Sequence, residues 1–380
     1  MRVLIISLDK NLLGQEGAFG DAVDRHKLYG KYVDRLDIIV FNTKPTECLK
    51  IDNNIKACPT NSKTRFHYVF DAVKIGKSIN ADKKIDLIVC QDPFLTGLAG
   101  VILKKETGAK LIIHSHGDFF GNWHWLKEDW FNLPLVIIGR FVIKGADAIR
   151  AVSKGVAKKF IEMGFKKDMV HRISTPVNLE KFSNYDPKKV ESIKEKYHHK
   201  KIIFFVGRLV QAKNIPVLID AFRDVLNKYN KAVLLVAGSG PQEQELKEKI
   251  KEANLGDQII LLGAIDHDDL PNYYKACNIF VLPSTNESFG KVLLEAAAAK
   301  KPSVASSTNG AQEIIQEGET GFIVPIGDKD KLGKMILKLL EDGHLAHSMG
   351  EKAYSHAYSE YGWKKNTEKI INMWKETLKK

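Results

Sequence analysis

Cysteine is scarce and unpatterned in this sequence: only Cys48, Cys58, Cys90 and Cys277 occur in 380 residues. No CxxC spacing and no pairing pattern with His is present, which argues against both a zinc site and a disulfide framework and fits a reducing cytoplasm. Long apolar runs are missing too. None reaches the roughly 18 residues of a membrane span, and the opening MRVLIISLDK lacks the extended apolar region of a signal peptide, so its short run reads as a buried first strand. Internal repeats, low-complexity tracts and compact basic runs are likewise absent. Without a recognition motif, scattered basic residues do not make a nucleic-acid binder.

What the chain has is length and an uneven charge. A chain of 380 residues exceeds what one core usually supports, so two domains are expected. The formal net charge is +12; residues 1 to 185 carry +9 of it and residues 186 to 380 carry +3. A positive first half suits an anionic membrane surface or an acidic substrate, and equally a lysine-rich, solvated surface.

Short β-branched runs alternate with helical stretches from end to end. In the first half the strands read RVLIIS, LDIIVF, DLIVC, KLIIHS, DAIRAVS and MVHRIS; in the second, KIIFFVGRL, AVLLVAG, QIILLG, IFVLPS, PSVAS and GFIVP. Continuous apolar strands separated by helices of about ten or more residues imply parallel sheets covered on both faces. The pattern restarts near residue 200, after the polar stretch TPVNLEKFSNYDPKKVESIKEKYHHKK. The expected fold is therefore α/β, with two facing, doubly wound, Rossmann-like domains and a cleft between them. Residues 1–182 form the first domain and 183–362 the second, and the amphipathic segment 363–380 either joins the first domain or ends the second.

Three loops at strand ends carry candidate chemistry. FFVGRLVQAKN delivers Gly207 and Arg208 at a strand end, and Lys213 stands before the next helix; two cations beside a helix N-terminus suit a diphosphate, although Arg and Lys in loops are commonly surface residues. In VAGSGPQEQELKE, the turn from Gly238 to Pro241 lets a flat ring or a backbone approach, without being the GxGxxG fingerprint. In FVLPSTNESFGKVLLEA, Glu287 and Glu295 flank Phe289 and Gly290; eight helical residues rise about 12 Å, roughly a diphosphate with a sugar at each end. Carboxylates accept well from vicinal hydroxyls, so Glu287 suits one sugar and Glu295 the other. Glu295 lies among Val292, Leu293, Leu294 and Ala296, so its carboxylate is expected to be buried, and a buried carboxylate needs partners.

On these residues the second half resembles the retaining glycosyltransferases of family GT4, which share the GT-B fold. The matching segments run in order from GRL…K at 207 to 213, through GSGP and LPNYYKACNIFVLPS, to ESFGKVLLEA, KPSVASSTNGAQEII and GETGFIVPIGD. The first half resembles the family more loosely, in KLIIHSHGD, DAIRAVSKGVAKKF and STPVNLEKF. The family's N-terminal Gly-Gly pair is absent from NLLGQEGAFGDAV, Lys291 replaces an apolar residue after Phe-Gly, and Lys300 stands where Gly is common.

The resemblance implies a retaining, metal-independent enzyme that moves a hexose-type sugar from a nucleotide diphosphate sugar to an acceptor hydroxyl in glycoconjugate or cell-surface polysaccharide synthesis. It assigns catalytic roles to His116, Arg208, Lys213 and Glu287, and donor contacts to Gly17, Gly207, Gly240, Ser288, Phe289, Gly290, Val292 and Glu295. No metal and no cofactor besides the donor is implied, and no DxD-type pair stands in the relevant loop. The expected acceptor is a sugar or a lipid-linked sugar, and the expected location is the cytoplasm, with peripheral contact at the inner face of the plasma membrane. The aromatic segment GNWHWLKEDWFNLPLVIIGRFVI, with Trp123, Trp125, Trp130 and Phe131, suits sugar stacking, membrane-interface contact or core packing. An epimerase or a non-catalytic nucleotide-sugar-binding protein of the same fold is the alternative.

Overall fold

A computed structural model describes residues 1–14, 21–122, 125, 126 and 129–380. Its contacts divide the chain into two units, Met1–Pro176 with Lys364–Lys380, and Val177–Trp363.

The first unit is built on eight strands: β1 (Arg2–Ser7), β2 (Arg35–Val40), β3 (Leu49–Asp52), β4 (Ile55–Pro59), β5 (Leu87–Cys90), β6 (Lys110–Ser115), β7 (Ala148–Ala151) and β8 (Val170–Arg172). They lie in the order β3-β4-β2-β1-β5-β6-β7-β8, and every pair is parallel except β3 with β4. Alternation along β1 shows why the strand is apolar throughout. Leu4 and Ile6 join one core with the helices Tyr68–Asp82, Leu95–Thr107, Asn132–Lys144 and Lys154–Glu162, while Val3 and Ile5 join another on the opposite face.

That second face is closed by the end of the chain. The helix Trp363–Lys379 sends Ile370, Ile371, Met373 and Trp374 into the core with Val3, Ile5, Leu36 and Val89. Trp374 is fully buried and meets Tyr29 edge-on at 5.4 Å.

The β3–β4 hairpin corrects one expectation. Asp52 pairs with Ile55 around a two-residue turn, and the register that sets Leu49 opposite Ala57 brings Cys48 and Cys58 across from each other. The two are disulfide-bonded with Cα atoms 4.2 Å apart, where the spacing of the cysteines suggested no such pair. Cross-strand neighbours ten residues apart in sequence leave no signature in spacing alone; the hairpin itself had to be read first. Cys90 and Cys277 are free and buried.

The second unit holds β9 (Lys201–Val206), β10 (Ala232–Ala237), β11 (Ile259–Gly263), β12 (Ile279–Leu282), β13 (Ser303–Ser306) and β14 (Gly321–Val324), all parallel, in the order β11-β10-β9-β12-β13-β14. The strand order reverses between β9 and its neighbours β10 and β12, which is where ligands enter an open parallel sheet. Among the described residues, no helix is long and apolar enough to cross a membrane.

Truncating Trp374 to Ala empties the largest side chain from the core beneath the terminal helix. Chemical denaturation is expected to show a loss of about 3 to 5 kcal/mol; a change within about 0.5 kcal/mol would mean that this helix does not hold the first unit together.

Candidate active site

In the second unit, three loops meet at the carboxyl ends of β9, β10 and β12. The first two are packed backbone to backbone. The Gly207 amide donates to Ala237 O at 3.0 Å and the Leu209 amide to Ser239 O at 2.9 Å. A Cβ at Gly238 would lie 1.9 Å from Gly207 O, and one at Gly240 would lie 2.4 Å from Leu209 O; Gly238 also takes φ of 133°. The glycines of GSGP therefore admit the neighbouring loop's backbone, a packing duty that the sequence could not separate from ligand approach.

The third loop is tied to the first. The Thr285 amide donates to Ala212 O at 2.9 Å, and Lys213 Nζ lies 2.5 Å from Glu287 Oε2. These two side chains, from opposite loops, are only 20% and 19% exposed, so water screens their attraction less than it would on an open surface. Glu287 is held further: its Oε1 accepts the Gly290 amide at 3.2 Å, and its backbone O accepts the Gly310 amide at 2.7 Å. Gly290, in the left-handed region at φ 79°, turns the chain into the helix Lys291–Ala298. Phe289 is buried behind that turn, where a Cβ on Gly310 would lie 2.6 Å from its carbonyl carbon. Val292 lies partly exposed in the first turn of the helix, and Ser288 partly exposed in the loop. Arg208 is exposed, and no ion pair engages it among the described residues.

Glu295 lies inside the same helix, buried as its apolar neighbours required, and its partner is a residue the sequence did not single out. Tyr274, fully buried on the helix Leu270–Ala276, donates its hydroxyl to Glu295 Oε2 at 2.8 Å. Burial, reinforced by the Glu295 carboxylate, pushes the Tyr274 phenol well above its ordinary pKa, so it stays a donor.

In the first unit, His116 follows β6, and its Nε2 lies 2.9 Å from Oε1 of Gln91, just past β5. Gln91 was missed in the sequence; its place at the carboxyl end of the adjacent parallel strand was the available signal. His114 is a different kind of residue. It lies inside β6, fully buried and in register with Arg150 of β7. Arg150 is buried, and no carboxylate pairs with it among the described residues: Nε donates to Ile173 O at 2.9 Å, Nη2 to Ser174 O at 2.7 Å, and Nη1 to His114 Nδ1 at 3.3 Å. A guanidinium only donates, so His114 Nδ1 is an acceptor and the proton of its neutral ring sits on Nε2. Desolvation, with the Arg150 charge beside it, drives the His114 pKa well below its usual value, and desolvation lowers Arg150 to about 10. His26, on the helix Ala22–Gly30, is also buried, its Nδ1 2.7 Å from Ala22 O, and burial lowers its pKa to about 3. Gly17 lies outside the described residues, as does Trp123.

Residues 187–356 match the family described as glycosyl transferases group 1, and residues 34–181 match glycosyltransferase family 4. A glycosyltransferase of Methanocaldococcus jannaschii is 30% identical over 291 residues, 74% of this chain and 72% of its own. The alpha-monoglucosyldiacylglycerol synthase of Streptococcus pneumoniae is 26% identical; the match covers 73% of this chain and 65% of the synthase. Among solved structures, Anabaena HepE in complex with UDP matches with a TM-score of 0.79 at 19% identity, over 99% of this chain and 100% of its own. Likeness of that kind establishes the GT-B fold for the two parallel-sheet units.

The buried histidines set a pH dependence. Above about pH 6.5 His26 is neutral in both folded and unfolded chains; as the pH falls toward about 3, only the unfolded chain takes the proton, so stability is lost on acidification. Between pH 7 and 5 this one group is expected to remove about 2 kcal/mol. Urea denaturation of wild type and His26→Phe at both pH values checks it: the variant should lose correspondingly less, and an identical loss in both proteins would exclude a buried neutral His26.

Proposed function

The chain belongs to the group 1, family 4 glycosyltransferases, and on that premise we propose that it moves a hexose-type sugar from a nucleotide diphosphate sugar to an acceptor hydroxyl, with retention at the anomeric carbon and no metal. The observation that carries the reading is the Lys213–Glu287 pair, set between the loops that follow β9 and β12 at the reversal of strand order. HepE was solved in complex with UDP, and a nucleotide with two phosphates is the donor portion that such a site would hold.

Chemically, leaving of a nucleotide diphosphate concentrates negative charge on its terminal phosphate. Lys213 and Arg208 supply positive charge to that group, and the amides at the start of the helix Lys291–Ala298 add their dipoles. Lys213 is held in place beforehand by Glu287, so little reorganisation accompanies charge development. Glu287 accepts from hydroxyls of the transferred sugar, and Glu295 from the ribose, with Tyr274 retaining one carboxylate oxygen. Gly207, Gly240, Ser288, Phe289, Gly290 and Val292 shape the donor surface around them, and Gly17 is assigned the approach to the phosphates. For His116 the family resemblance supplies the role, a hydrogen bond to the transferred sugar, and Gln91 orients its ring. The acceptor is a sugar or a lipid-linked sugar in polysaccharide or glycolipid synthesis, a reading supported by the lipid product named for the Streptococcus pneumoniae relative; the proposed location is the cytoplasm, with peripheral contact at the inner face of the plasma membrane.

Two measurements test the reading. A panel of nucleotide sugars is expected to contain one that raises unfolding free energy by about 2.7 kcal/mol at 100 times its dissociation constant. With that donor, Arg208→Ala and Lys213→Ala should each lower turnover by about 10²- to 10³-fold while thermal melting shows them folded. Wild-type turnover in folded Lys213→Ala and Glu287→Ala variants would remove the assignment.

A further inference from the structure

We infer that the first unit carries a docking surface for an anionic lipid bilayer, formed by the outer face of the helix Asn132–Lys144 and the start of the helix Tyr68–Asp82. The helix Asn132–Lys144 is apolar on two sides. Val136, Val142 and Ile143 face the sheet and are buried. Leu133, Ile137 and Phe141, four residues apart, form a second stripe that faces water, with Ile137 66% and Phe141 57% exposed. A surface helix needs one apolar stripe for its own core; a second requires a partner.

The stripe has company. Phe66 and Phe70, 84% and 75% exposed, stand at the start of the helix Tyr68–Asp82, which packs on the same face of the sheet as the helix Asn132–Lys144. Trp130 is 75% exposed just ahead of the latter helix. Both helices follow strands whose carboxyl ends lie on one edge of the sheet, so Phe66, Phe70 and Trp130 stand toward the edge where His116 also stands, on either side of the helix Leu95–Thr107, which packs against both.

Charge selects the occupant. Arg140 and Lys144 are exposed beside Phe141, and Lys63, Arg65 and Lys74 are exposed around Phe66 and Phe70; among the described residues of these stretches the acids are Asp129, exposed, and Asp71, partly exposed, so basic side chains predominate. Apolar side chains ringed by basic ones match the boundary between acyl chains and anionic headgroups. A second copy of the chain would set Arg140 and Lys144 of each molecule against like charges, so a symmetric dimer is disfavoured. Thirteen residues of helix rise only about 20 Å, so the helix lies in the interface and does not span it. For its biological sense this surface rests on the lipid-linked acceptor of the proposed transfer; its physical test does not.

Flotation of the full chain with vesicles decides it. Wild type is expected to float with vesicles of equal parts phosphatidylcholine and phosphatidylglycerol, and weakly with phosphatidylcholine alone. The double substitution Ile137→Glu, Phe141→Glu should weaken binding by about tenfold or more, and Arg140→Gln with Lys144→Gln should remove the preference for anionic vesicles, with far-UV circular dichroism unchanged. Failure of wild type to float, equal flotation of the glutamate variant, or a dimer in sedimentation that this variant dissolves without any flotation would overturn the surface. Donor hydrolysis in detergent-free solution is read separately: if it is absent while flotation behaves as expected, the transferase reading falls and the docking surface stands.

Discussion

Every polar feature of the second unit depends on one constraint: its strands are parallel and buried on both faces. Such strands have no polar side to present, so chemistry is confined to the loops that leave their carboxyl ends. The order of the sheet then decides which loops meet. β9 sits between β10 and β12, and its loop is therefore shared, pressed against the GSGP turn on one side and bonded to the Glu287 loop on the other. The lack of side chains at Gly238 and Gly240 is what allows the β9 loop to pack so closely that Lys213 emerges toward Glu287. Backbone packing is thus the foundation, and the ion pair is its result.

Much of this was legible because burial on both faces writes itself as unbroken β-branched runs. All twelve strands read from such runs are present, in both units. The two that were missed, β3 and β4, belong to the one antiparallel hairpin, where Leu49, Ile51, Ile55 and Ala57 alternate with Lys50, Asp52 and Lys56 in a pattern too short and too polar to stand out. The disulfide was hidden for the same reason, because its proximity comes from that register. Lys300 shows the reverse case. Its departure from the glycine common at that place coincides with a left-handed backbone at φ 62°, so the sequence had marked a conformation as well as a substitution.

The site was legible by type and less so by partner. Loop residues such as Lys213 and Glu287 announce themselves by standing after strands, and the structure joins them. Residues that serve others from within an element leave no such mark. Tyr274 is one of two adjacent tyrosines on a short helix, and only the fold says that it, fully buried, is the one that reaches Glu295. Arg150 is similar: its guanidinium is satisfied by two carbonyls and a histidine ring from neighbouring strands and loops, a solution that depends on the β6–β7 register and not on any local motif.

The two carboxylates that frame the helix Lys291–Ala298 are held by different chemistry, and the difference bears on what each can do. Glu287 is bound by an ammonium and an amide in a place water still reaches, so an incoming group can exchange with these partners at small cost, because the released charges are resolvated. Glu295 accepts from a neutral phenol in a buried position, where exchanging that hydrogen bond for another takes place away from water and is costly. One carboxylate is therefore suited to contacts that change during a reaction, and the other to a contact that must already be in place before it begins. The apolar neighbours of Glu295 already marked it for burial; the partners, which only the fold supplies, complete its separation from Glu287.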